Sequence, residues 1–125
     1  MAKILIIDDD EMLLKLYAEI LQKEGYGVIT ASDGKKGFGL AVSNAPDLIL
    51  LDVMMPLVDG AQVFEDLAGN AKTKNIPVIF LTGKDTSDDQ GRGFKSGGDM
   101  FIKKPFVCER LLEIVNIVLL SFTKV

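Results

Sequence analysis

A chain of 125 residues that is 48% hydrophobic and 26% charged has the size and make-up of one ordinary domain with one core, which excludes a disordered or low-complexity protein. A formal net charge of −4 without any lysine/arginine cluster argues against direct nucleic-acid binding. Cys108 is the only cysteine, so an intrachain disulfide is excluded and a reducing, cytoplasmic compartment is expected, while the first apolar run is too short for a signal peptide or a membrane span.

That run, Ile4-Leu5-Ile6-Ile7, is closed by Asp8, Asp9 and Asp10. Consecutive aliphatics ending in carboxylates read as a fully buried strand, Lys3 to Ile7, whose end emerges at a sheet edge. A helix follows from about Glu11 to Glu24, with Leu13, Leu16, Tyr17, Ile20 and Leu21 as its apolar face. Asp10 is placed to cap its start and Gly25 to end it in a left-handed conformation. Tyr26 to Ala31 is a short β-branched strand, and Asp33-Gly34 opens a weaker helix carrying Phe38, Leu40 and Ala41 that stops before Pro46. The second aliphatic run, Leu48 to Leu51, is the third strand and ends at Asp52. Pro56 and Asp59-Gly60 mark a turn, after which Val63, Phe64, Leu67 and Ala68 supply a buried helical stripe.

The fourth strand is Ile76 to Leu81, with Pro77 near its start, where a missing donor matters least, and it ends at Thr82-Gly83. Thr86 to Ser96 should be helical but contains Gly91 and Gly93, each costing about 1 kcal/mol relative to alanine. Met100-Phe101-Ile102 is a short fifth strand, followed by Lys103-Lys104-Pro105-Phe106 and a final helix from about Val107 to Ser121. Strands and helices alternating in this way imply a doubly wound five-stranded parallel sheet with right-handed crossovers.

In such a sheet the strand ends share one edge, where ligands bind. Asp8, Asp9, Asp10, Asp52, Thr82 and Lys104 all fall just after strands and so collect there. Two carboxylates about 5 Å apart repel by roughly 3 kcal/mol at an effective dielectric near 20, and a divalent, oxygen-preferring cation relieves that repulsion. Magnesium takes one or two carboxylates together with waters and phosphate oxygens, a carboxylate can act as a nucleophile, and a lysine and a hydroxyl can hold phosphoryl oxygens. The set suits magnesium-assisted phosphoryl transfer. The glycines do not point to a nucleotide: Gly91, Gly93 and Gly97 follow no strand, and Gly83-Lys84 lacks the earlier glycine of a phosphate loop.

In their order these pieces resemble the receiver domain of two-component response regulators. The resemblance rests on Ile4-Leu5-Ile6-Ile7-Asp8-Asp9-Asp10, on Pro46-Asp47-Leu48-Ile49-Leu50-Leu51-Asp52-Val53-Met54-Met55-Pro56 with Asp59-Gly60, on Ile76-Pro77-Val78-Ile79-Phe80-Leu81-Thr82 and on Lys104-Pro105-Phe106. It covers essentially the whole chain, residues 1–125 as a single receiver domain, and implies a flavodoxin-like fold with strand order 2-1-3-4-5. It implies Asp52 as the phosphoacceptor, with Asp8, Asp9, Asp52 and the backbone carbonyl of Met54 holding Mg2+ (or Mn2+). Lys104 would contact the phosphoryl group, and Thr82 and Phe101 would form the switch.

What the resemblance implies is a signalling module with no separate turnover substrate. The phosphoryl donor would be a phosphohistidine of a sensor histidine kinase or a histidine phosphotransfer protein. The reader would be a downstream effector or output domain, or a second copy in a homodimer. The surface concerned is that of the fourth predicted helix, the fifth strand and the last helix. Gly91, Gly93, Gly97 and Gly98 make that fourth helix the least stable one expected. The last helix is apolar at Leu111, Leu112, Ile114, Val115, Ile117, Val118, Leu119, Leu120 and Phe122, more than one buried face needs, so its outer side is expected to meet a partner. Two alternatives stay open on sequence alone: a haloacid-dehalogenase-type phosphatase using Asp8 and Asp10, and a receiver-like interaction module that takes no phosphate.

Overall fold

The structure is a computed structural model and describes residues 2–52, 60–82, 100–103 and 108–123. Strands β1 (Lys3–Ile7), β2 (Gly27–Ala31), β3 (Leu48–Asp52), β4 (Val78–Thr82) and β5 (Met100–Lys103) form one parallel sheet in the order β2-β1-β3-β4-β5. Among the described residues the helices are α1 (Glu11–Lys23), α2 (Gly34–Asn44), α3 (Gly60–Ala68) and the C-terminal helix α4 (Cys108–Thr123). The architecture expected from the alternating apolar periods is the one present. The expected helix over 86–96 lies outside the described residues, as do Met54 and 104–106.

β1 and β3 are the unbroken aliphatic runs because helices cover both faces of the sheet centre. Ile4, Ile6, Leu48 and Leu50 pack with Leu14, Tyr17 and Leu21 of α1 and with Leu111, Ile114, Val115 and Val118 of α4. Leu5, Ile7, Ile49 and Leu51 pack instead with Ala41 of α2 and with Val63 and Leu67 of α3. On that second face Phe64 meets Phe80 edge-on, with centroids 5.2 Å apart.

Two helical faces differ from the sequence expectation. In α1 it is Leu14 that is buried with Tyr17 and Leu21, while Leu16 is 47% exposed. Leucines stand at 13, 14 and 16, so two overlapping stripes fit the helical period, and packing on the sheet selects the one through Leu14. In α3 the stripe narrows to Val63 and Leu67 with Phe64 at its margin, and Ala68 is exposed. Pro77 stands just outside β4, its carbonyl accepting the Ile49 N–H at 3.0 Å.

The helix ends follow their sequence signals. The Asp10 carboxylate accepts the N–H groups of Met12 at 3.0 Å and Leu13 at 3.2 Å, capping α1. At the other end Gly25 has φ +95°, with the Gly25 N–H donating to Gln22 O and the Tyr26 N–H to Leu21 O, the paired bonds of a Schellman motif. The Tyr26 hydroxyl donates to Asn116 Oδ1, joining the α1–β2 turn to α4. Asp33 caps α2 through the Lys36 N–H at 2.8 Å, and α2 ends at Ala45 in the left-handed region. At the sheet edge where the strands begin, the Lys3 N–H donates to Asp47 Oδ2 at 2.8 Å and the Lys3 ammonium to Asn44 O at 3.0 Å. On α4, Ile117 and Leu120 are 51% and 72% exposed, so the excess of apolar residues does leave an outward-facing pair.

Candidate functional site

β1 and β3 are neighbours, and Ile7 is in register with Leu51, so Asp8 and Asp52 follow side by side at the carboxyl edge of the sheet. The alternation that turns Ile6 and Leu50 toward α1 puts Asp8 and Asp52 on that same side. The Asp8 N–H continues the ladder beyond β1 by donating to Ala31 O at 3.1 Å, and Asp8 Oδ1 accepts the Asp10 N–H at 2.9 Å. Backbone hydrogen bonds therefore hold Asp8 on both sides, while Asp52 is fixed as the last residue of its strand.

Asp8 is fully buried and Asp52 is 3% exposed, whereas Asp9 faces solvent. Each of the three offers a carboxylate oxygen, and these oxygens lie within 4.8 Å of one another. At that separation the buried pair Asp8/Asp52 repels by about 3 kcal/mol at an effective dielectric near 20. Three hard oxygen donors, two buried and one at an open mouth, match a divalent cation that keeps waters or substrate oxygens on its outer side. The donor set thus fits magnesium.

Tyr17 is the site neighbour that sequence reasoning placed only in the core. Its phenol is pushed well above the usual tyrosine range, first by burial and then by the negative charges of Asp8, Asp52 and Asp10. Its position on the buried face of α1 was legible in the sequence. That this face reaches the acids depends on how α1 crosses the sheet.

The other expected residues are placed by the backbone. Leu81 is in register with Asp52, so Thr82 lies one residue further toward the same edge, and Thr82 is in register with Lys103. Phe101 pairs with Phe80 in the β4–β5 ladder. Lys104 and Met54 lie outside the described residues. Asp10 stands apart from the cluster in its role, since its carboxylate is spent on capping α1. A haloacid-dehalogenase-type reading would need that carboxylate for a different task.

Comparison with known proteins agrees with this arrangement. Residues 4–116 match the family model described as the response regulator receiver domain. The chain is 38% identical over 119 residues to Protein PilH of Pseudomonas aeruginosa, covering 95% of this chain and 98% of that protein. It is 44% identical over 119 residues to the DNA-binding dual master transcriptional regulator RpaA of Synechocystis, of which it spans 49%. It is likewise similar to the solved chemotaxis protein CheY4 of Vibrio cholerae, with a TM-score of 0.89 at 30% identity over 94% of this chain and 98% of that one.

Proposed function

This chain belongs to the response regulator receiver domain family, and from that premise we propose that Asp52 accepts a phosphoryl group beside a Mg2+ (or Mn2+) ion held by Asp8, Asp9, Asp52 and the Met54 backbone carbonyl. The observation that carries the proposal is the convergence of the Asp8, Asp9 and Asp52 carboxylates at the end of β1 and β3. Residues 1–125 act in this reading as one receiver domain.

These 125 residues contain no histidine, and in this reading the phosphohistidine is that of a sensor histidine kinase or a phosphotransfer protein in the cytoplasm. An Asp52 oxygen attacks the phosphorus; the new O–P bond forms as the N–P bond breaks. The imidazole nitrogen keeps the electron pair and takes a proton from solvent. When bound, magnesium supplies positive charge that offsets the acids and the phosphoryl oxygens. Asp8 is held in line for its share of that work by the Asp10 N–H and the Ala31 carbonyl. Lys104 grips a phosphoryl oxygen, and Thr82 moves toward the phosphate, with Phe101 following in β5. The altered surface around β5 and α4 is then read by an effector or output domain, or by a second copy in a homodimer.

Incubation with magnesium and the small phosphodonor phosphoramidate, followed by peptide mapping, tests the assignment. A phosphoryl adduct on Asp52, absent from Asp52→Asn, is the expected result. An adduct on Asp8 would instead favour the phosphatase class, and a folded protein that takes up neither phosphate nor magnesium would be an interaction module.

A further inference from the structure

Between α1 and the corner joining β2 to α2 lies an open cleft of about 460 Å³. It is a surface groove rather than an enclosed pocket, since its polar lining side chains are exposed or half-buried. Its polar lining comes from Glu11 and Lys15 on α1 and from Thr30, Ser32 and Lys36 on the other wall. Lys15 and Lys36 are exposed, and among the described residues neither ammonium has an ion-pair partner. Two lysines against one glutamate leave one net positive charge in the cleft, on a chain whose net charge is −4.

The local sequence is also at odds with helix stability. The first turn of α2 holds Lys35 and Lys36 and no acidic residue, although a helix start carries partial positive charge and favours anions. Asp33 alone offsets this, through the Lys36 N–H. Departures from local preference gather at functional sites. Ala31 lines the cleft and accepts the Asp8 N–H at 3.1 Å, so an occupant would sit one backbone hydrogen bond from the acidic cluster.

We infer that this cleft binds a small molecule through a phosphate or carboxylate group held between Lys15 and Lys36, with the Thr30 and Ser32 hydroxyls as further donors. Glu11 in the same lining disfavours a second, separate anionic group, so the preferred occupant carries its charge at one end.

The inference is independent of the role proposed for Asp52, and its test uses the full chain without magnesium, as wild type and as Asp52→Asn in parallel. Amide chemical shifts are followed while inorganic phosphate is added, and acetate in a second series. Saturable shifts at Lys15, Ser32 and Lys36 are expected in both proteins. Saturation by phosphate identifies a phosphoryl ligand, and saturation by acetate alone a carboxylate one. Lys15→Gln and Lys36→Gln should each weaken binding about tenfold. Lys23→Gln, in the last turn of α1, should leave it unchanged. Shifts that rise linearly without saturating, or that weaken equally in Lys23→Gln, would overturn the inference.

Discussion

Gly37 sits where α2 presses on β1: a methyl group there would lie 2.4 Å from Ile7 Cδ1 and 2.6 Å from Ile7 Cγ1. Ile7 is fully buried and has little room to turn away. Gly37→Ala should therefore destabilise the fold by about 1–2 kcal/mol in urea denaturation, overpacking outweighing alanine's helical advantage of about 1 kcal/mol. In an Ile7→Val background, which lacks Cδ1, the penalty should shrink; an unchanged penalty would place the strain elsewhere. Tyr17 makes a second residue-scale prediction, about alkaline pH. Its phenol is raised by burial and by Asp8, Asp52 and Asp10, so the folded chain keeps a proton that the unfolded chain releases near pH 10. Stability is then indifferent to this group below pH 10 and falls as pH rises beyond it. Absorbance of tyrosinate should appear together with loss of helix on alkaline titration, and Tyr17→Phe should move the transition to higher pH.

At the scale of elements, α1 depends on both of its ends. Asp10→Ala removes the acceptor for two otherwise unpaired N–H groups and should cost about 1 kcal/mol, read as a lower thermal midpoint, while the Asp10→Asn variant should recover most of it. The caps were legible because Asp10 and Gly25 are residue types with a local mechanism. The strands were legible because a parallel sheet covered on both faces needs uninterrupted aliphatics. What could not be read was the choice between overlapping stripes: with Leu13, Leu14 and Leu16 all apolar, only contact with Ile4, Ile6 and the C-terminal helix settles that Leu14 goes inward. The same holds for Ala68, whose small side chain fits either side of α3 and lies outside.

For the molecule as a whole, a cation held by Asp8, Asp9 and Asp52 would couple stability to metal. A cation that binds only the folded chain stabilises it by about 2.7 kcal/mol at 100 times its dissociation constant. Magnesium should thus raise the thermal midpoint of the wild type in a concentration-dependent way, and Asp9→Asn should blunt the effect; an equal response in both would place the ion elsewhere. The three acids were legible as strand-terminal residues that any parallel sheet brings to one edge. Tyr17 and the cleft beside Lys15 were not, since each arises from the way α1 lies across β1 and β2 rather than from a motif. The parallel layout also has a practical side. Lys3 is clamped by Asp47 and Asn44 where the strands begin, at the sheet edge opposite the acids. A fluorophore or purification tag fused ahead of residue 2 would project from the far end of the molecule, so immobilisation through the amino end leaves the carboxylates open to an incoming donor.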